Sequence, residues 1–321
     1  MIDDSDLLEN FSKDMKDSTL SNYMVRLRRF QEITGGKELY YIMTNPKRCY
    51  KKLKETFSDE NATRANYITQ ITKLYTRNGE MLKDHSKEYN IWKDYLKKER
   101  DEVVFRYKLN KPTEKQEQNL VSYEDVRKKY EELRKNKSVY EDPKTNLHMV
   151  LFGVLINLRP KRADLGNVRI LKKAPKDQTA YNYIVLDKSP RLVLNIHKTA
   201  DKNHAIIEDI NSELYEILLN SLKHYPRKHL FVNRDTKPYE DNRAYSHFVR
   251  RMFKKYFGKE TGVSLWRHIH VTERINPLTM NEHELEREAK LMGHSVAQQR
   301  IVYRWVNKNQ ICETTCKPEG D

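Results

Sequence analysis

Residues near the carboxyl-terminal end of the chain combine a nucleophile with cations in a specific order. Tyr303 follows His294 by nine residues, in the segment Leu-Met-Gly-His-Ser-Val-Ala-Gln-Gln-Arg-Ile-Val-Tyr. Arg267 and His268 form an adjacent pair upstream. A tyrosine can attack a phosphodiester when nearby cations hold the phosphate oxygens and offset the charge that develops on them. This order predicts phosphodiester chemistry with Tyr303 as the attacking group.

The chemistry has three requirements. The phenol must lose its proton, the added charge at phosphorus must be stabilised, and the departing sugar oxygen must receive a proton. Arginine suits the second requirement because a guanidinium holds two phosphate oxygens at once and stays charged. Lysine or histidine suits the third. Fixed cations can do this work without a metal ion, so no metal and no other cofactor is expected.

The chain supplies these groups in the order Arg162, Lys198, Arg267, His294 and Tyr303. The segments that carry the first four are Pro160-Lys-Arg-Ala-Asp-Leu165, Ile196-His-Lys-Thr199, Ser264-Leu-Trp-Arg-His268 and Leu291-Met-Gly-His-Ser295. In these segments the chain resembles the tyrosine recombinases, the family of phage-type integrases. The integrases of large DNA viruses, virophages and related mobile elements look similar in the short Pro-x-Arg-x-Asp box.

The resemblance implies a role for each residue. Tyr303 would attack the scissile phosphate and form a 3′-phosphotyrosine, while Arg162 and Arg267 would hold the non-bridging oxygens. Lys198 would protonate the leaving oxygen, and His294 would support the phosphate. The residues expected to support this set are Ser264, His268 and Asp164.

The chain departs from the family at Ser264. The family usually has a histidine here, at the first position of a His-x-x-Arg box, and that histidine assists the nucleophile as a base. A serine hydroxyl can donate a hydrogen bond to a phosphate oxygen, but it is not a base near neutral pH. The group that accepts the Tyr303 proton is therefore left open by the sequence.

Neighbouring residues offer alternatives at two positions. Arg159 could take the place of Arg162, although the acidic Asp164 that follows favours Arg162. Lys202 could take the place of Lys198.

Structural roles are the alternative elsewhere. Arg267 could pair with Glu273, His268 could pack in a core, His294 could cap the preceding helix, and Tyr303 could be one of many core tyrosines. The box around Arg267 and the offset between His294 and Tyr303 favour the catalytic interpretation. The residues that indicate zinc only weakly are His270, His283, Cys312 and Cys316, because no second ligand pair is apparent.

Composition points to a nucleic acid as partner. The 321 residues include 61 Lys and Arg against 46 Asp and Glu, a net charge of +15, interleaved with 20 tyrosines. A basic chain of this kind binds polyanions through counterion release. No apolar run approaches the roughly 18 residues that a membrane span requires, and the acidic start shows no secretion signal. The three cysteines fit a reduced intracellular setting.

The order of elements predicts two domains. Residues 1–100 show four stretches of helical apolar spacing and predict a helical domain. Its size and position resemble the core-DNA-binding domain of the tyrosine recombinases, which implies that it binds the core DNA. Residues 101–121 are charged and poor in apolar side chains, which predicts a linker. Ser122 starts a helix-capping pattern and a second, catalytic domain, residues 122–321.

The second domain predicts a mainly α fold with a small antiparallel β-sheet. Residues 146–158 form an apolar helix, and branched residues predict strands at 184–186, 192–196, 204–210 and 230–232. Further helices are expected at 211–222, 248–257, 265–275, 282–292 and 296–306.

The resemblance implies a site-specific DNA recombinase or integrase that needs neither metal nor ATP. Four protomers would assemble on two double-stranded attachment sites and pass through a Holliday junction. The protein would act on DNA in the host cytoplasm or nucleus, and the viral resemblance extends this to carriage by a virus. The alternatives are relaxation by a type IB topoisomerase-like mechanism, a junction- or telomere-resolving enzyme, and a DNA-binding factor on the same fold that has lost catalysis.

Overall fold

The structure is a computed structural model that describes residues 4–13, 15–176, 180–200 and 205–305. The chain divides into two compact units, Met1–Leu109 and Asn110–Asp321. The division falls inside the range 101–121 that the sequence assigns to a linker. No helix among the described residues is both long enough and apolar enough to cross a membrane.

The first unit is helical. Its elements are α1 Asp4–Ser12, α2 Asp17–Ile33, α3 Leu39–Thr44, α4 Pro46–Thr56, α5 Asn61–Arg77, α6 Gly79–Asp84 and α7 Ser86–Lys108. The four predicted helical stretches correspond to α2, α4, α5 and α7, and α7 continues eight residues beyond position 100. Tyr75 and Trp92 fix the core, since the phenol and the indole N–H both donate to the Met43 carbonyl, at 2.9 and 3.0 Å.

A buried ion pair joins α5 to α7 in this unit. Arg64 Nε and Nη2 donate to the two carboxylate oxygens of Glu99, at 2.8 and 2.9 Å. Tyr50 and Asn61 donate to the same carboxylate. Burial alone would raise the pKa of Glu99, but these hydrogen bonds outweigh it and hold the pKa below its usual value. The pair is therefore fully hydrogen-bonded, as a buried charge requires.

The second unit is mainly helical. Its helices are α8 Glu114–Gln118, α9 Tyr123–Lys135, α10 Pro143–Asn157, α11 Ser212–His224, α12 Asn242–Phe257, α13 Val263–Arg274, α14 Glu282–Leu291 and α15 Val296–Gln298. A π-helical turn, Gln299–Tyr303, follows α15 directly. Side chains cap several of these helices: Ser122 accepts from the Asp125 N–H at the start of α9, as the sequence predicts, and Asn281 forms a capping box with Glu284 at α14.

Apolar burial around α10 organises this unit. Its central residues are buried on all sides, as the continuous apolar run predicts. Phe152 alone meets the rings of Phe253, Tyr256 and Phe257 on α12, at centroid distances of 5.4 to 5.9 Å. The helix ends before Leu158, and the extended residues that follow lead into the 3₁₀ turn Ala163–Leu165.

The sheet has the order β1-β2-β3-β4, with β1 Arg169–Leu171, β2 Tyr183–Val185, β3 Arg191–Leu194 and β4 Ile206–Asp209. β2, β3 and β4 pair antiparallel, as predicted. The prediction of a wholly antiparallel sheet is wrong, because β1 pairs with β2 in parallel. Eleven residues, 172–182, separate the two strands along the chain, close to the roughly dozen that a connection between parallel neighbours requires.

Two smaller expectations also change. Residues 230–232 do not form a strand; His229 makes a single antiparallel bridge to Arg169. The last predicted helix, 296–306, is an α-helical turn that becomes π-helical at Gln299, and position 306 lies outside the described residues.

Candidate active site

A pocket of about 860 Å³ opens in the second unit, beside the sheet and the start of α13. Its walls include six of the eight residues that the sequence singled out: Arg162, Asp164, Lys198, Ser264, Arg267 and Tyr303. The other two are histidines that contact the Tyr303 ring, at centroid distances of 5.0 Å each: His268 and His294. Residues that lie up to 141 positions apart in sequence therefore form one site.

Arg267 is the most deeply buried cation of the site, with 1% of its surface exposed on α13. Its Nη1 donates to the carbonyls of Pro160 and Met292, at 3.1 and 2.8 Å. Its Nε and Nη2 are buried and have no hydrogen-bond partner among the described residues. Burial lowers the pKa of Arg267, and the adjacent Tyr303 phenol opposes that shift. Because buried donors are rarely left unpaired, the two nitrogens indicate a place for an anion.

The alternative pairing of Arg267 does not occur. The carboxylate of Glu273 accepts a hydrogen bond from the Tyr123 backbone N–H at 2.8 Å. Burial raises the pKa of Glu273, and this hydrogen bond partly offsets the effect.

Arg162 and Arg159 have different environments. Arg162 lines the pocket, and its Nη1 donates to the Gly293 carbonyl at 3.2 Å. Arg159 instead forms a two-pronged ion pair with Glu288, with Nη2 to Oε1 at 2.6 Å and Nε to Oε2 at 3.0 Å. The two side chains lie in different surroundings because successive side chains of an extended segment point to opposite faces, and residues 159 and 162 are three positions apart. Of the two alternatives, Arg162 is the one that lies in the pocket.

Lys198 is exposed at the pocket wall, in the turn that follows β3. Its neighbours hold this turn: Thr199 Oγ1 lies 3.2 Å from His197 Nδ1 and donates to the Gly293 carbonyl at 3.5 Å. The alternative lysine, Lys202, lies outside the described residues.

Tyr303 ends the π-helical turn, with its ring among three of the predicted residues. The guanidinium carbon of Arg267 lies 4.7 Å from the ring centroid, and the His294 ring stacks on it at 24°. The Tyr303 carbonyl accepts a hydrogen bond from His268 Nδ1 at 3.2 Å. The ring is half-buried and also touches a small apolar cluster that includes Val271. Tyr303 thus has both a packing surface and access to the pocket.

A second set of contacts holds the chain just after Tyr303 against α13. Trp305 stacks on His268, with 4.5 Å between ring centroids and 9° between ring planes. The Trp305 backbone N–H donates to Thr272 Oγ1 at 3.0 Å. Sequence reasoning did not identify Trp305 or Thr272, since neither lies in a recognisable motif.

His294 is a neutral, buried histidine. Gly293 takes a left-handed conformation, φ +71°, that ends α14 and turns the next side chain inward. Burial, with the Arg267 charge second, lowers the pKa of His294 to about 4. Its Nδ1 faces the Ser295 carbonyl at 3.2 Å. A carbonyl only accepts, so Nδ1 carries the hydrogen and the buried, unpartnered Nε2 carries the lone pair.

The remaining supporting residues differ in exposure. Ser264 lies exposed in the first turn of α13, with its hydroxyl at the pocket wall. Asp164 lies in the 3₁₀ turn after Arg162, where burial raises the pKa of its carboxyl and the Arg162 charge opposes the rise. For His268, burial disfavours the charged imidazolium and lowers the pKa to about 4.

Metal ligands do not cluster in the described part of the chain, where no group of three His, Cys, Asp or Glu side chains could hold an ion. His270 is buried beside Tyr123, at 6.0 Å between ring centroids, and His283 is exposed. Cys312 and Cys316 lie outside the described residues.

Comparison with known proteins gives a limited result. No protein-family model matches the chain, and no curated protein matches it in sequence. Among solved structures, the chain is similar to the crystal structure of XerA recombinase, with 16% identity and a TM-score of 0.44. The alignment covers 99% of this chain and 100% of that one.

Proposed function

We propose that the protein is a site-specific DNA recombinase, an integrase of the tyrosine type that cleaves and rejoins DNA through a 3′-phosphotyrosine at Tyr303. One observation carries the proposal. The buried Arg267 guanidinium has two unpartnered nitrogens beside the Tyr303 ring, in a pocket that also contains Arg162 and Lys198. A phosphodiester is an anion whose geometry matches such a set of donors.

Each residue has one task in the proposed step. Tyr303 gives its phenolic proton to solvent in the pocket. Its oxygen then forms a bond to phosphorus, and the bond from phosphorus to the 5′ oxygen breaks. Arg267 and Arg162 neutralise the non-bridging oxygens as their charge increases. Lys198, exposed at the wall, gives its proton to the leaving 5′ oxygen. His294 supports the reaction by packing on the Tyr303 ring.

Rejoining reverses these steps. The 5′-hydroxyl of a partner strand gives its proton to the neutral Lys198 amine and attacks the phosphotyrosine. The Tyr303 oxygen leaves and regains a proton from solvent. The phosphodiester bond energy is kept in the protein–DNA link, so the reaction needs no ATP. The fixed cations take the place that a metal has in other phosphoryl-transfer sites.

Ser264 serves the phosphate in this proposal. Its exposed position at the pocket wall suits a hydroxyl that donates to a phosphate oxygen. It does not act as the base, for the reason that its hydroxyl does not titrate near neutral pH.

The partner in this proposal is double-stranded DNA with specific attachment sites. The net charge of +15 favours binding to phosphates over the whole length of the chain. The helical first unit supplies part of that binding, and four protomers on two sites complete one exchange.

Trapping a covalent intermediate tests the proposal. The substrate is a duplex built from the DNA ends that flank the gene and nicked beside the cleavage point. After attack, the short fragment that carries the new 5′-hydroxyl dissociates, so the strand cannot be rejoined. We expect a protein–DNA adduct that survives denaturation and maps to Tyr303 by mass spectrometry. Relaxation of supercoiled plasmid without any specific site would favour the topoisomerase alternative. DNA binding without any adduct would favour the non-catalytic factor.

A further inference from the structure

Arg159 and Lys161 are cationic residues of the extended segment 159–162, and their side chains point away from the pocket. Successive side chains of an extended chain point to opposite faces. Arg159 and Lys161 therefore share one face, while Arg162 reaches the pocket on the other. The first face meets a carboxylate from β4, Glu208, which is almost completely buried.

Lys161 and Glu208 form the centre of this buried cluster. Their side chains are 1% and 3% exposed, and Lys161 Nζ donates to Glu208 Oε2. The same Nζ donates to the Leu291 carbonyl at 2.5 Å. Glu208 Oε1 accepts the Arg159 backbone N–H at 2.9 Å. One ion pair thus ties the segment 159–162 to β4 and to the end of α14.

The two pocket arginines are held by the parts of the chain that this ion pair connects. Arg267 donates to the carbonyls of Pro160 and Met292, which adjoin Lys161 and Leu291. Arg162 donates to the carbonyl of Gly293. The orientation of both guanidinium groups therefore depends on the segments 159–162 and 291–293 keeping their separation.

We infer that Lys161 and Glu208 are positioning residues that set the two guanidinium groups of Arg162 and Arg267 for one phosphate. The inference rests on the proposed function only in its choice of anion. Neither residue lines the pocket. A buried ion pair is weak support for stability by itself, since apolar replacements are often as stable. Positioning of the two arginines explains why a charged pair occupies this buried place, which stability alone does not explain.

The test removes both charges together. Lys161→Met with Glu208→Gln leaves no unpaired buried charge, and the Gln oxygen can still accept the Arg159 N–H. Besides the pair itself, the variant loses the contact from Lys161 to the Leu291 carbonyl and the ion pair of Arg159 Nη1 with Glu208 Oε1 at 3.6 Å, and Arg159 keeps Glu288 as its partner. The matched control is Arg64→Met with Glu99→Gln, which removes a similarly buried pair from the first unit, at 5% and 2% exposure.

Inorganic phosphate, titrated calorimetrically into the full-length protein, reports on the arginines without any DNA. We expect the Lys161→Met/Glu208→Gln variant to bind phosphate about tenfold or more weakly, because displacements near 1 Å cost this much at positioned sites. The control should bind as the wild type does. Unchanged phosphate affinity in the first variant would overturn the inference, as would a wild-type protein that binds no phosphate.

A second variant keeps the test decisive if the double variant does not fold. Glu208→Asp retains the charge and the pair but shortens the side chain by one bond, about 1.5 Å. We expect a smaller loss of phosphate affinity with the folded structure retained, and wild-type affinity would count against positioning. Failure of the proposed function would look different: the wild type would form no DNA adduct while the phosphate affinities still separated the variants.

Discussion

The guanidinium carbon of Arg267 lies 4.7 Å from the centroid of the Tyr303 ring. The two residues are therefore close enough for a phosphate attacked by the phenol to reach the unpartnered Nε and Nη2. The proposed roles of Tyr303 as nucleophile and Arg267 as phosphate ligand are separable by mutation, because each side chain can be changed while the other is kept.

Tyr303→Phe should abolish the covalent adduct and leave DNA affinity unchanged. The phenyl ring keeps the stacking on His294 and loses only the attacking oxygen. Denaturing gels with the nicked duplex, together with binding measured by fluorescence anisotropy, check both parts. Adduct found by mass spectrometry on another tyrosine, such as Tyr256, would contradict the assignment.

Arg267→Ala should slow cleavage by about a hundredfold to a thousandfold, roughly 3–4 kcal/mol, as expected for loss of one fixed donor set at a developing charge. Arg267→Lys should recover only part of this, since an ammonium lacks the planar fork. Single-turnover rates on the nicked duplex measure the effect. The Nη1 of Arg267 also donates to two backbone carbonyls, so its loss can destabilise the fold. Urea unfolding of each variant separates that effect from the effect on cleavage.

Arg162→Ala and Arg159→Ala should differ in what they impair. Arg162 lines the pocket, so its loss should slow cleavage strongly and change the free energy of unfolding little. Loss of Arg159 leaves the buried Glu288 without its partner, which should destabilise the fold by ~3 kcal/mol or more and slow cleavage less. Cleavage rates and urea unfolding midpoints, measured for both variants, test this difference. If Arg159→Ala abolishes cleavage in a folded protein while Arg162→Ala does not, the assignment of the first box is wrong.

Ser264→Ala should slow cleavage modestly, by the roughly 0.5–1.5 kcal/mol of one neutral hydrogen bond. Ser264→His should be accommodated, because the position is exposed, and it should add a rate inflection near pH 6–7. A pH–rate profile of both variants beside the wild type checks these outcomes. A folded Ser264→His variant that binds DNA but never cleaves it would show that the pocket differs from the family's.

Stability should fall as the pH falls from about 6.5 toward 4. Burial lowers the pKa of His148, His268 and His294 to about 4 and that of His270 to about 3. A lowered folded-state pKa means that the unfolded chain binds more protons in this window. The stability contribution is therefore complete above the unfolded value near 6.5 and is lost on acidification.

His270 gives the cleanest check, because it lies outside the pocket lining. His270→Phe should reduce the slope of unfolding free energy against pH by about one proton near pH 5. Urea unfolding at several pH values measures that slope for both proteins. Equal slopes would show that His270 titrates normally in the folded state.

The sequence predicted the residues of the candidate site better than the contacts that hold those residues in place. The box around Arg267 and the nine-residue offset from His294 to Tyr303 are local patterns that a motif can reveal, and the structure brings these residues together. The choice of Arg162 over Arg159 depended on one neighbouring acid. The partner of Lys161 lies 47 residues away on β4, and no local pattern reports a contact that only tertiary packing creates.

The errors in the fold have the same origin. Residues 230–232 have strand-like composition, yet the pairing in this region is a single bridge between His229 and Arg169. β1 is three residues long and flanked by charge, so it gave no periodic signal. Its parallel pairing depends on where the following chain returns. Propensity describes a segment alone, whereas pairing is decided by neighbours that are distant in sequence.

α13 presents Ser264, Arg267 and His268 within little more than one helical turn, and Thr272 one turn further on. Ser264 and Arg267 line the pocket, while His268 and Thr272 bond to the Tyr303 carbonyl and the Trp305 N–H. The groups that tether the chain at Tyr303 therefore share one helix with Arg267, at a fixed rise of about 1.5 Å per residue. A rigid-body shift of α13 would carry the Tyr303 backbone with it through these two hydrogen bonds, so the proposed nucleophile and the proposed phosphate ligand would move together.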